Sequence, residues 1–117
     1  MTITSKSDAE ILAIALPMID QVVAASNQQD WALFSKFQTE AEKHDPDNRT
    51  NVERLWKEHA LFTSLSLERK VLGILRKDEV AQIIWSQTST KVSGDHLARY
   101  FIKEINQEIK EVGFLIN

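Results

Sequence analysis

The chain has 117 residues, of which 43% are hydrophobic, and this length and composition are typical of one folded domain with one core. Its formal net charge of -3 comes from 14 basic and 17 acidic residues, so electrostatics gives no reason to expect a nucleic acid or an anionic membrane as partner. The absence of cysteine excludes disulfides, thiol catalysis and thiolate metal sites.

We therefore expect a single domain over residues 1–117, with residues 1–7 as a flexible N-terminal tail. The first apolar run, residues 11–16, is too short for a signal sequence and is followed by Pro17. No apolar run approaches the roughly 20 residues that span a bilayer. These features predict a soluble, cytoplasmic protein that binds neither a membrane nor a nucleic acid.

The first helix is predicted over residues 8–26. Ser7 and Glu10 have the spacing of a capping box, in which each side chain accepts a hydrogen bond from the other residue's backbone amide. Apolar residues then recur at helical spacing and form a broad buried face. Pro17 removes one backbone hydrogen bond, so we expect the helix to kink there.

Two further helices are predicted before the spacing of the hydrophobic residues changes from helical to alternating. Asn27 is expected to cap the second helix, which ends in the Asp- and Pro-rich turn at residues 44–48. A second capping box, Thr50 to Glu53, predicts the start of a third helix that ends near residues 60–63.

The second half of the chain has the alternating pattern of β-strands. We predict a first strand, with a bulge, over about residues 65–77, a second over residues 80–90, and a closing hairpin over residues 97–116. Three helices followed by a four-stranded antiparallel meander predict an α+β domain in which the helices pack on one face of a curved sheet.

The pairing within the closing hairpin follows from a turn centred on Gln107. This register places Ile102 opposite Val112, Tyr100 opposite Phe114, and Ala98 opposite Ile116. Charged residues near the turn, including the predicted pair of Lys103 and Glu111, are interpreted as a solvated strand surface. The opposite face is expected to carry a second apolar set, namely Leu97, Phe101, Ile105, Ile109 and Leu115, with Ile83 and Trp85 if the preceding turn has about three residues.

The order of these parts resembles the NTF2-like superfamily, a cystatin-like α+β cone that includes ketosteroid isomerase and the SnoaL-type polyketide cyclases. The resemblance is carried by the pattern Asn27-x-x-Asp30-Trp31-x-x-Phe34, by the strand pair at residues 71–76 and 81–85, and by Tyr100-Phe101-Ile102-Lys103 before a final strand. It covers about residues 8–116. It implies a pocket between helices and sheet that binds a small apolar molecule or carries out isomerase- or cyclase-type chemistry.

Two residues are candidates for acid/base or hydrogen-bonding roles in such a pocket. His59 shares an apolar helix face with Trp56 and should point inward, where burial would tune its pKa; the alternative is a core histidine bonded to a carbonyl. Tyr100 is expected on the covered strand face, either as a donor to a substrate oxygen or as a core aromatic residue.

Large aromatic side chains are the candidates for lining the pocket, with a place in the core as the alternative. The chain has three widely spaced glycines and three scattered histidines, so we expect no phosphate-binding loop, cofactor or metal site. The candidate ligand-binding residues are Trp31, Trp56, Trp85 and Phe114.

Two functional hypotheses remain open from the sequence. The first is a small-molecule-binding or isomerase-type pocket protein, and the second is a non-catalytic interaction module with a filled cone. A cavity with converging polar groups would favour the first, whereas a cone filled by Trp56, Trp85 and Phe101 would favour the second. In both cases the second apolar strand face predicts a homodimer that packs through the outer face of the sheet.

Overall fold

The structure is a computed structural model and describes residues 2–117. Helices occupy the first half of the chain and strands the second, and a short 3₁₀ turn lies at Ile3–Ser5 and another at Ala60–Thr63. The helices are α1 (Asp8–Gln28), α2 (Trp31–Phe34), α3 (Glu40–Lys43) and α4 (Pro46–Glu58), and the strands are β1 (Leu65–Lys77), β2 (Val80–Ser89), β3 (His96–Ile105) and β4 (Glu108–Ile116).

The four strands form one antiparallel sheet in the order β1-β2-β3-β4. One face of this sheet is covered by α1, which contacts β1 and β2. The centre of the covered face is fully buried, because alternate residues of β2 and β3 pair there and meet the apolar side of the helix. The predicted α+β class and the four-stranded antiparallel sheet are therefore confirmed. The central buried residues are Ala81, Ile83, Trp85, Ala98, Tyr100 and Ile102.

The start of α1 is confirmed in atomic detail. The Glu10 amide donates to the Ser7 hydroxyl at 3.2 Å, and the Ser7 amide donates to the Glu10 carboxylate at 3.0 Å. Pro17 lies inside the helix, which continues to Gln28 and ends where Gln29 adopts a left-handed conformation with φ of 55°. By length and hydropathy α1 could cross a membrane, but core helices pass the same test and this finding decides nothing.

The predicted N-cap role of Asn27 is wrong, because α1 runs past this residue. Its side-chain amide donates to the Leu65 carbonyl at 2.8 Å, and its side-chain oxygen accepts from the Leu65 amide at 2.7 Å. Asn27 therefore joins the end of α1 to the first residue of β1. Asp30 caps α2 instead, since its carboxylate accepts from the Leu33 amide at 3.2 Å.

The predicted second helix is two single turns, α2 and α3, separated by residues that approach the sheet. Gln38 forms a parallel bridge to Glu111 of β4, which takes its backbone out of a helical conformation. The third helix begins earlier than predicted, because Asp45 caps it and Pro46 occupies its first position. Thr50 lies inside α4, so the predicted second capping box is wrong.

Part of the predicted N-terminal tail is packed against the domain. The Ile3–Ser5 turn contacts β2 and β3, and the Ile3 side chain is fully buried. The Lys6 carbonyl also accepts a hydrogen bond from Arg76 of β1 at 3.0 Å. This segment therefore closes one end of the core.

The predicted register of the closing hairpin is correct at its open end and wrong near its turn. Tyr100 pairs with Phe114 and Ala98 with Ile116 as predicted, but Ile102 pairs with Glu111 instead of Val112, and Lys103 pairs with Lys110. The turn consists of two residues in left-handed conformation, Asn106 and Gln107, with φ of 52° and 67°. A shift of register between Phe101 and Ile102 leaves Val112 as the extra residue of a β-bulge.

The predicted outer position of Ile83 and Trp85 is also wrong. Residues 90–95 separate β2 from β3, so the connection is longer than the three-residue turn on which that prediction depended. Ile83 therefore pairs with Tyr100 and Trp85 with Ala98, all on the covered face. Because of the bulge, Ile109 also packs against the core instead of the outer face.

Candidate functional site

A cavity of about 320 Å³ lies between α4 and β4. Its floor includes Ser26 of α1, and its far wall includes Phe34 of α2. Most lining side chains are apolar and a few polar ones converge at one side, which is the usual composition of a small-molecule site.

Three aromatic residues from three different elements form the apolar wall. Phe34 meets Trp56 edge-on with ring centroids 5.4 Å apart, and its centroid lies 6.3 Å from that of Phe114. The Trp56 indole nitrogen donates to the Ser26 hydroxyl at 3.0 Å, which satisfies the polar atom of this buried ring and fixes its orientation. The wall is thus held by packing on one side and by a hydrogen bond on the other.

The polar side is built by residues of α3, α4 and the segment between α2 and α3. The Asn48 amide donates to the Gln38 side-chain oxygen at 2.9 Å and to the Glu42 carbonyl at 2.8 Å. Glu42 and Asn51 lie at the exposed rim, while Gln38 is buried. Asn48 therefore orients Gln38 toward the sheet, where its backbone is paired with Glu111.

Glu111 is the central polar residue of the cavity. Its backbone amide donates to the Phe37 carbonyl at 2.7 Å, and the neighbouring bulge at Val112 turns its side chain onto the covered face. The residue is only 4% exposed. No group among residues 2–117 makes a hydrogen bond of normal geometry to its Oε1 atom, an arrangement that is costly for a buried carboxylate.

Burial is the main cause of the raised pKa of Glu111. Removal of the carboxylate from water raises its pKa from 4.5 to about 7, while interactions with Tyr100 and Gln38 act in the opposite direction. Burial also raises the pKa of the Tyr100 hydroxyl, and the adjacent Glu111 carboxylate raises it further. At neutral pH the pair is therefore a neutral phenol beside a carboxyl group that is present in both protonation states.

Of the four predicted ligand-binding residues, two line the cavity and two do not. Trp56 and Phe114 line the cavity, as expected for pocket residues. Trp85 is fully buried beneath them and stacks on Phe114 with centroids 6.0 Å apart, so it supports the wall without lining the cavity. Trp31 lies in a different, shallow groove beside Lys36, and the Arg49 guanidinium sits over its ring at 5.8 Å.

The two predicted polar candidates also differ in position. Tyr100 is fully buried and lies behind Glu111, outside the set of residues that line the cavity. The expected inward position of His59 is wrong: it is exposed, it terminates α4 in an extended conformation, and its ring packs edge-on against Phe62. The helix ends before His59, so the helical spacing from Trp56 that suggested an inward position does not apply.

Sequence reasoning missed Glu111, Gln38 and Asn48. One signal for Glu111 was available in the sequence, because Ile109 and Phe114 are large apolar residues separated by an odd number of positions. A strand can bury both only if it contains a bulge between them, and a bulge there changes the face of Glu111. Gly113 is a second signal, since glycine within a strand often marks a bulge or a close approach.

The chemical capacity of the cavity is limited to acid/base action, hydrogen bonding and apolar contact. In the part of the chain that the structure describes, no three His, Cys, Asp or Glu side chains are grouped in a way that could hold a metal ion. Searches for related proteins found no family model and no curated protein that matches the sequence.

Proposed function

We propose that the chain is a small-molecule-binding protein of the NTF2-like type, with the cavity between α4 and β4 as its pocket and Glu111 as its acid/base group. One observation carries the proposal. A carboxylate that is only 4% exposed lies at a cavity with an aromatic wall, and its Oε1 atom has no hydrogen bond within residues 2–117. Proteins rarely leave such a group without a partner unless a ligand or a proton satisfies it.

The chemistry that fits the pocket is proton transfer to or from a bound molecule. A carboxyl group with a pKa of about 7 is both a usable base and a usable acid at neutral pH. Tyr100 acts through Glu111 as a positioning residue, because its neutral hydroxyl interacts with the carboxylate from behind the cavity wall. An isomerase or cyclase reaction that moves one proton requires no other charged group.

The proposed relationship to the NTF2-like superfamily rests on the arrangement of the domain. A long first helix lies along one face of a four-stranded antiparallel sheet, and short helices follow it before the strands begin. Register shifts in β1 and β4 are of the kind that bends strands, as a cone-shaped sheet needs. The proposed relationship is therefore supported by the first helix, the order of the strands, the register shifts and the pocket beside β4.

The second candidate function is an interaction module that forms a homodimer. Leu75, Leu97 and Leu115 lie on the sheet face opposite the core and are 56%, 41% and 50% exposed. Exposed leucines on one sheet face favour a second copy of the same face as partner, across a two-fold axis. This dimer would border the pocket, because Leu115 is also one of the residues that line it. We also keep the cytoplasm as the proposed location, because the chain lacks cysteine.

The pocket is tested by ligand screening with two neighbouring variants. A library of small fragments is titrated into the protein while backbone and indole NMR signals are recorded. We expect ligands that shift the signals of Trp56, Phe114 and Glu111, and we expect Asn51→Trp, which fills the mouth of the cavity, to abolish these shifts.

Thr50→Trp is the matched control, because Thr50 is the exposed neighbour of Asn51 on α4 and does not line the cavity. It should leave binding intact. Failure of the whole library to shift cavity signals, or equal loss of binding in both variants, would contradict the proposed pocket.

A further inference from the structure

The side chains around the cavity have a marked charge bias. Of the described residues that line it, none is Lys, Arg or His, whereas two, Glu42 and Glu111, carry carboxylates. Asn48 and Asn51 add neutral amides, and the Asn48 amide is already engaged with Gln38 and Glu42. An anionic ligand would therefore meet two carboxyl groups and no cationic side chain among the described lining residues. Arg54 donates to Asn51 at the rim but does not line the cavity.

The buried carboxylate of Glu111 is a second constraint on the charge of the ligand. A neutral ligand would displace water from the cavity and give the ionised carboxylate no counter-ion, so that its binding would favour the protonated form of Glu111. The Glu111 carboxylate is among the groups that line the cavity, and a cationic ligand bound there would be its counter-ion. A neutral donor would gain a hydrogen bond to this group, whereas a cation would gain the charge interaction as well.

The aromatic wall favours the same class of ligand independently of the carboxylate. Phe34, Trp56 and Phe114 come from α2, α4 and β4 and line one cavity, with the Phe34 centroid 5.4 Å from that of Trp56 and 6.3 Å from that of Phe114. Aromatic rings attract organic cations through their quadrupole and also bury apolar substituents. Several rings combined with a carboxylate form a suitable environment for an alkylated or aryl-substituted ammonium group.

We propose that the ligand of this pocket is an organic cation, with an ammonium group directed at Glu111 and an apolar body against Phe34, Trp56 and Phe114. This inference rests on the proposed function and specifies its ligand class. The cavity volume of about 320 Å³ accommodates a small ammonium ion with an aryl or short alkyl substituent.

The test uses a matched pair of probes that differ in a single atom. Choline and 3,3-dimethyl-1-butanol have the same shape, but the quaternary nitrogen of the first is carbon in the second. Benzylammonium serves as a second cation, with benzyl alcohol, which has the same number of heavy atoms, and phenylacetate as its neutral and anionic counterparts. Each is titrated into the protein at pH 8, where Glu111 is mostly ionised, and binding is followed by NMR at Trp56, Phe114 and Glu111.

We expect each cation to bind at least about tenfold more tightly than its neutral counterpart, since it gains both an ion pair and ring contacts. Glu111→Gln keeps the shape of the side chain and should remove most of this difference, whereas Glu108→Gln, an exposed residue of the same strand, should preserve it. Asn51→Trp should abolish binding of both cations in a folded protein.

Three results would overturn the ligand class. These are equal or tighter binding of the neutral probe, tighter binding of phenylacetate, and no binding of either cation. If neutral or anionic molecules shift the cavity signals and Asn51→Trp prevents it, the cation proposal fails while the proposed pocket stands. If no fragment of any charge binds, the proposed function fails as well.

Discussion

Tyr100 and Glu111 place a phenol hydroxyl and a carboxylate next to each other on the covered face of the sheet, one from β3 and one from β4. Both residues are buried, and neither the Tyr100 hydroxyl nor Oε1 of Glu111 makes a hydrogen bond of normal geometry within residues 2–117. The register of the strands sets the positions of both residues, with Ile102 opposite Glu111 and Phe114 opposite Tyr100.

The stability of the protein should depend on pH through Glu111. Its folded pKa of about 7 exceeds the ordinary value of 4.5, so the folded state binds the proton more tightly than the unfolded state. Stability from this residue is therefore fully present below pH 4.5 and is lost as the pH rises to about 7. A difference of this size between the folded and unfolded pKa values corresponds to a loss of the order of 3 kcal/mol in the free energy of unfolding.

Glu111→Gln removes this loss because the amide does not ionise. We expect the variant to be about as stable as the original protein at pH 4.5 and more stable at pH 8, as measured by chemical denaturation across this range. Glu68→Gln, at an exposed position of β1, is the control and should show no such pH-dependent gain. A pH-independent difference for Glu111→Gln would argue against a raised pKa.

Tyr100→Phe should raise the pKa of Glu111 further. The Tyr100 hydroxyl is one of two groups that favour the ionised carboxylate, and phenylalanine deletes it without changing the ring. The side-chain carboxyl carbon of Glu111, followed by NMR during a pH titration, measures this directly. An unchanged or lowered pKa would show that the hydroxyl does not interact with the carboxylate.

Gly113→Ala should destabilise the sheet beside the bulge. A Cβ at this position would lie 2.8 Å from Cδ1 of the Phe101 ring on the neighbouring strand, so the ring would have to move. We expect a loss of about 1–3 kcal/mol in the free energy of unfolding, typical of overpacking. Gly73→Ala is the matched control in β1, because a Cβ there would meet no atom within 4 Å, and it should change stability by less than about 1 kcal/mol.

Asn27→Ala should weaken the junction between α1 and β1. The substitution removes two hydrogen bonds and leaves the part-buried amide and carbonyl of Leu65 without their side-chain partner. The expected loss is about 2 kcal/mol in chemical denaturation, whereas Gln28→Ala at the adjacent exposed position should be nearly neutral. Equal effects of the two substitutions would mean that the paired hydrogen bonds contribute little.

The homodimer is tested by mass in solution. Sedimentation at micromolar concentration should give about twice the chain mass of 13.4 kDa, and the double variant Leu97→Lys with Leu115→Lys should sediment as a monomer. Leu33→Lys is the control, because Leu33 is as exposed as Leu97 but lies on α2, away from the sheet. A monomer before substitution, or a dimer that survives the double change, refutes this interface.

The sequence alone determined the features that depend on neighbouring residues. The Ser7 capping box set the start of α1, and the change from helical to alternating period marked the onset of β1 at Leu65. Both are local, because a cap needs partners three residues away and a strand pattern needs a few alternations. The α+β class follows from the same local information.

Tertiary structure decided which face of β4 each residue occupies. An alternating pattern is compatible with two registers, and the choice between them depends on the partner strand and on any bulge. The bulge at Val112 turned Glu111 from a predicted surface residue into the buried group of the cavity. In the same way, Gln38 left a predicted helix because its backbone pairs with β4, a contact between residues far apart in the chain.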